Sequence, residues 1–410
     1  MNRILSFFAA AIATATAIAL ASASCTNSSS QSGADSPAAA DPFTTSTIRV
    51  GKNPNSVETA DFNKDGNPDL AIANSDDSSV TILLNNGKGE FTPAAGSPFP
   101  TNRNPNDLAI SDLNKDGNPD LCIANTETAE LTVLLGNGNG QFSQAPHSPY
   151  KVHARPHTHG IAVADYNGDG YLDLATDDWG EDKISIIFGD NTGNFTNQTF
   201  YATGKRPYQR LRTADLNADG RPDLITTNLE GNNCTVLLGT TPTPGPTAAP
   251  TPSPAAFTEA PGSPYPCGDA PFAVAIGDLN GDGHPDLAIC DAPTITSAST
   301  GRDGLFILLG DGTGHFHPQQ HSPFPTGKSP SRIAIGDLNG DGINDIAVTN
   351  YNDNSITIFY CKKEHNPTAV TLRVGPHPDG ICIKDFNKDR KNDLAVTSQT
   401  DGTVTVLLHK

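Results

Sequence analysis

Side chains that end in oxygen recur along this 410-residue chain at fixed alternate spacing. The first set is Asp61, Asn63, Asp65, Asn67 and Asp69, inside the nonapeptide Asp61-Phe62-Asn63-Lys64-Asp65-Gly66-Asn67-Pro68-Asp69. The second is Asp112, Asn114, Asp116, Asn118 and Asp120, and the third is Asp165, Asn167, Asp169, Tyr171 and Asp173. Then come Asp215, Asn217, Asp219, Arg221 and Asp223, followed by Asp278, Asn280, Asp282, His284 and Asp286. The last two are Asp337, Asn339, Asp341, Ile343 and Asp345, and Asp385, Asn387, Asp389, Lys391 and Asp393. Positions 1, 3, 5 and 9 are Asp, Asn, Asp and Asp in every copy. Oxygens at alternating positions of a tight turn converge on one point, which suits a hard cation taking six to eight oxygens, and calcium is the expected occupant. Position 6 is Gly in six copies, where a sharp bend with φ > 0 costs least without a Cβ. The seventh has Arg390 there, which predicts the weakest site.

The elements that follow decide what holds these loops. Each runs into a short apolar strand closed by a polar residue, as in Leu70-Ala71-Ile72-Ala73-Asn74 and Ile346-Ala347-Val348-Thr349-Asn350. Such runs are too short and too β-branched for the exiting helix of an EF-hand. Position 12, where an EF-hand needs a bidentate Glu, is Ile72, Ile123 and Thr176 in the first three copies. Successive loops start 51, 53, 50, 63, 59 and 48 residues apart. A period near 50 made only of strands and turns predicts an all-β fold, a seven-bladed β-propeller of four-stranded blades. Within a repeat the expected order is strand A (Ser56 to Asp61), the acidic loop, strand B (Asp69 to Asn74), strand C (Val80 to Leu84), a Gly-rich hairpin and strand D. A Ser-Pro-aromatic mark recurs in strand D at Ser97, Ser148, Ser263 and Ser322. The last repeat stops after Val404-Thr405-Val406-Leu407-Leu408, while Asp41 to Val50 reads as a strand D with no blade before it. The N-terminal strand is therefore expected to complete blade seven and remove its exposed edge.

From the acidic loops, the strand after each and the period, the chain resembles the FG-GAP or VCBS repeat family over residues 41–410, whose seven-bladed propeller occurs in integrin α subunits and many secreted bacterial proteins. That resemblance implies calcium in the A–B loops on one face, ligands on the opposite face and a role in adhesion. It specifies fold and metal more sharply than function, because one fold hosts many chemistries.

The first 24 residues carry Arg3, an apolar run from Ile4 to Leu20 and small residues before Cys25, which reads as an export signal. The box Ser22-Ala23-Ser24-Cys25 points to lipidation of Cys25 and anchorage at the cell envelope or surface; ordinary cleavage would instead leave the chain secreted. Residues 25–40 form a Ser/Ala-rich tether too poor in apolar residues to fold alone. Net charge is −19, and seven loops with three Asp each supply 21 of the 45 acidic residues. The acidity thus belongs to metal ligation, and nucleic-acid binding is excluded by the lack of a basic stripe. Membrane contact is expected only through the lipid. Of the six remaining cysteines, Cys267 and Cys290 fall on the face opposite the acidic loops and are the expected disulfide, with Cys234 as rival partner. Cys122 and Cys382 sit in strand interiors and are expected to be buried thiols. Thr240 to Ala256 is a Thr/Pro-rich insertion in blade four, and Asp291 to Asp303 enlarges a loop of blade five.

On that opposite face, blades three and four offer His153, Arg155, His157 and His159, then Trp179, then Arg206, Tyr208 and Arg210. An aromatic ring for stacking and cations for acid groups suit a carbohydrate or carboxylate ligand. Polar loops of this kind also arise as ordinary channel lining. Nucleophile elbow, Walker loop, zinc spacing and dinucleotide fingerprint are all missing, and no catalytic residue can be named. The expected function is an exported calcium-binding module for protein or glycan. The alternative is a carbohydrate-active enzyme of polysaccharide-lyase type with its site at the mouth of blades three and four.

Overall fold

The computed structural model describes residues 42–152, 157–190, 192–208, 210–240, 256–293, 301–363 and 365–410. The export signal, Cys25 and the tether lie outside these residues, as do His153 and Arg155.

The described residues form seven antiparallel sheets, six of them built from consecutive strands. In blade one strand A is Pro54–Ala60, B is Asp69–Asn74, C is Ser79–Asn85, and D is split into Phe91–Pro93 and Phe99–Pro100. Blades two, four and five split D in the same way, and each split falls at a Ser-Pro mark. There the Ser hydroxyl accepts a strand C N–H: Ile82 to Ser97, Val133 to Ser148, Val236 to Ser263 and Ile307 to Ser322. Blades three and six use continuous D strands, Phe195–Ala202 and His365–Arg373.

Blade seven takes its fourth strand from the other end of the chain. Phe43–Arg49 pairs antiparallel with Thr403–His409, from Phe43 opposite His409 to Arg49 opposite Thr403. Val57, Leu70 and Ile72 of blade one then share one core with Cys382, Val404 and Val406 of blade seven. Cores of the same kind fill the other blade junctions, as where Ile82 of blade one meets Leu121 and Ile123 of blade two. Every strand B is buried along its whole length, which explains apolar runs such as Leu70-Ala71-Ile72-Ala73.

Candidate functional site

The acidic loops repeat one geometry. In blade one Asp61 accepts the Asp65 N–H at 3.1 Å and the Gly66 N–H at 2.8 Å. Asn63 Oδ1 accepts the same Asp65 N–H at 3.1 Å, so oxygens of positions 1 and 3 gather over one donor. Asp65 in turn accepts from the Asn67 N–H at 2.8 Å. The backbone is left-handed at position 6 throughout, from Gly66 (φ 80°) to Arg390 (φ 71°), as the sequence predicted. Position 4 is left-handed as well, at Lys64, Lys115, Gly168, Ala218, Gly281, Gly340 and Lys388. The sequence reading missed this second bend because most side chains there are not Gly.

The ninth residue has a distinct role. Asp69 is fully buried; one carboxylate oxygen takes the Phe62 N–H at 2.9 Å and the other the Asn85 N–H of strand C at 2.8 Å. The same clamp recurs at Asp120, Asp173, Asp223, Asp286, Asp345 and Asp393. Loss of water pushes the pKa of Asp69 up to about 6, against its two N–H donors, and the charges of Asp65 and Asp61 push it further the same way. Loss of water pushes Asp173 further, to about 7. Among the described residues no group of three acidic, His or Cys side chains forms a metal cluster; position 3 of each loop supplies an Asn amide oxygen. The donor set at positions 1, 3 and 5 is all oxygen, and the turn that presents it is already shaped.

On the opposite face, the loops before strand A and after strand B bring five expected residues together. The Arg206 guanidinium sits 4.1 Å over the Trp179 ring, and its Nε is 2.8 Å from Glu230. His157 lies 5.8 Å from Trp179 and 5.9 Å from His159, ring centre to ring centre. His159 stands 4.4 Å from Tyr208, which contacts Phe272 at 5.2 Å. Both imidazoles spend Nδ1 on the protein: His157 on the Thr126 carbonyl at 3.2 Å, His159 on buried Asp177 at 3.1 Å. Burial holds the His157 pKa below the usual imidazole value, so the ring is neutral at pH 7 and its Nε2 is an acceptor. His157, Trp179, Arg206 and Tyr208 are half-buried, whereas His159 is buried.

Arg210 does not belong to this mouth. Its side chain is buried in the central channel, with Nη1 2.8 Å from Asp107 and 3.4 Å from Glu58. It lies two residues before strand A (Arg212–Ala214) and turns into the channel, so a charge read as ligand-facing is instead paired with blades one and two. Arg212 approaches Asp107 at 3.6 Å, and fully buried Arg332 reaches Asp379 at 3.3 Å and the Asn106 side chain at 3.2 Å. Glu58 and Arg212 also line a channel cavity of about 310 Å³ with Ala109, Ala162 and Thr213.

Cys267 and Cys290, the expected disulfide pair, are free thiols in separate cores. Cys122 and Cys382 are buried in strands, as expected.

A family model described as FG-GAP-like repeat matches residues 61–123, 112–176 and 295–348, and one described as FG-GAP repeat matches 270–289. No curated protein matches the chain. Among solved structures, BBS1N in complex with ARL6DN is similar at 10% identity and a TM-score of 0.57, over 90% of this chain and 97% of that one. A protein from Lactobacillus plantarum is similar at 16% identity and a TM-score of 0.56, over 80% of this chain and 88% of that one. At these identities the likeness concerns fold. With acidic repeats matched in blades one to three, five and six and the same loop geometry in all seven, the chain is an FG-GAP repeat protein, a seven-bladed β-propeller.

Proposed function

We propose that this chain is an exported, lipid-anchored binding module whose acidic loops take calcium and whose opposite face binds a glycan at the mouth of blades three and four. The FG-GAP propeller fold supports a binding or adhesion role in general. The observation that carries the ligand site is the shelf in which Arg206 stacks on Trp179 beside His157. Stacked faces, a cation and an imidazole acceptor match the apolar faces, acid groups and hydroxyls of a sugar chain. Among the described residues no helix is long and apolar enough to cross a membrane; the lipid at Cys25 is proposed from the sequence alone.

Calcium fits the loops by donor chemistry. Positions 1, 3 and 5, such as Asp61, Asn63 and Asp65, would hold it, and it would offset the carboxylate repulsion beside buried Asp69. A glycan array read with the intact protein and with Trp179→Ala tests the ligand site. Retained binding by the variant would move the site elsewhere, and binding only to a protein partner would replace the glycan.

One observation favours the enzyme reading: Asp177 fixes the His159 ring, as an orienting carboxylate does for a general base. Unsaturated-sugar absorbance on acidic polysaccharides tests it, and binding without such product rejects it.

A further inference from the structure

Blade four carries the Thr/Pro tract between strands C and D, so its outer strand must be regained after a long excursion. Pairing resumes where Ala256–Glu259 meets Leu237–Thr240. A second segment then returns to the start of strand C, with Tyr265 opposite Cys234 and Pro266 opposite Asn233. The ladder runs on one rung more, because the Cys267 N–H donates to the Asn232 carbonyl at 3.4 Å. Side chains alternate along a strand, so Cys267 faces the same side as Tyr265 and lies one diagonal step from Cys234. Both cysteines are 0% exposed and share one core with Val236 and Tyr265. Cys290 packs instead with Leu305 and Phe359 at the next junction.

We propose that Cys234 and Cys267 form a disulfide in an oxidising medium, stapling the outer strand of blade four to its strand C. The oxidant is a small-molecule disulfide such as oxidised glutathione. One cysteine thiolate attacks it, forming a mixed disulfide and releasing one thiol. The second cysteine thiolate attacks the protein-bound sulfur and releases the other thiol, so two electrons pass to the oxidant and the two cysteine protons end on the released thiols. Attack needs a thiolate with access. In the folded blade both sulfurs are shut from solvent, and burial pushes the Cys267 thiol well up. The bond must therefore close before the outer strand docks. It shortens the open chain that contains the Thr/Pro tract, lowering the entropy of the unfolded state.

The test is disulfide mapping of the full chain, unfolded and reduced, then refolded with reduced and oxidised glutathione. Free thiols are blocked with iodoacetamide and the protein is digested without reduction. The expected result is a linked pair of peptides holding Cys234 and Cys267, with Cys122, Cys290, Cys361 and Cys382 alkylated. Alkylation of both Cys234 and Cys267, or a link from either to another cysteine such as Cys290, overturns the proposal. Reductant should also lower the Tm of the linked protein by about 4 °C and leave a Cys234→Ala/Cys267→Ala variant unmoved. An unchanged Tm in the linked protein removes the stapling role.

Discussion

Arg210 Nη1 lies 2.8 Å from Asp107 Oδ1, an ion pair that reaches from blade four to blade two across the central channel. Arg332 of blade six meets Asn106 of blade two in the same channel. These contacts brace non-neighbouring blades, a role that the apolar cores between adjacent blades cannot fill. Both partners of the first pair are nearly shielded from solvent, so removing one leaves the other buried and uncompensated.

Arg210→Ala should therefore destabilise the propeller by about 3–5 kcal/mol. Urea unfolding measures it, and a midpoint equal to wild type would show that the channel pair does no bracing.

Arg210 also marks where sequence reading stopped. Its neighbours Arg206 and Tyr208 do reach the mouth, and nothing in the run before strand A says where loop ends and channel begins. Aligning the repeats on the first Asp of each loop supplies the missing signal. Ser56, Asp107, Arg210 and Arg332 then share one column, five residues before the loop, that Gly160, Ala273 and Gly380 otherwise fill. Charges in a column of small residues must meet each other across the ring. The loops and the period were legible because each depends on local spacing, and the closing strand because an unmatched strand D at one end of the chain answers a missing one at the other. The clamp made by Asp69 was not, since its partner Asn85 arrives from strand C. Cys267 likewise met Cys234 rather than Cys290, because the split strand D turns back to the start of strand C.

Trp179→Ala and Arg206→Ala should each weaken glycan binding at least tenfold, with less than about 1 kcal/mol lost in stability because both are partly exposed loop residues. Titration calorimetry against a glycan identified on the array measures the first, and thermal melts the second. Undiminished affinity in both variants would place the ligand elsewhere.

A chain starting at Asn53 lacks the strand that covers Thr403–His409. It should aggregate or melt far below the intact protein, since an open edge and the core beside Phe43 are exposed together. A monomeric truncation with unchanged Tm would contradict ring closure by this strand.

Glu58 is about a third exposed to the channel interior. Burial raises its pKa above the ordinary 4.5, Arg210 and Arg212 pull it back, and Asp107 pushes it up. A raised folded pKa gives stability that is complete below the unfolded value and is lost as pH rises through the folded one. Glu58→Gln has no such loss. Its Tm should gain on wild type as pH rises from 4.5 to 8, and a constant gap in paired melts would refute the shift.

Calcium dependence of stability tests the account most directly. Ligands that bind only the folded state add RT ln(1 + [L]/Kd), about 2.7 kcal/mol per site at a hundredfold excess over Kd. Seven loops of one geometry should sum such gains, with the Arg390 loop contributing least. Calorimetric melts of the full chain in excess chelator and in millimolar calcium are predicted to differ by well over 10 °C. The same Tm in both would contradict calcium as the element that holds this propeller.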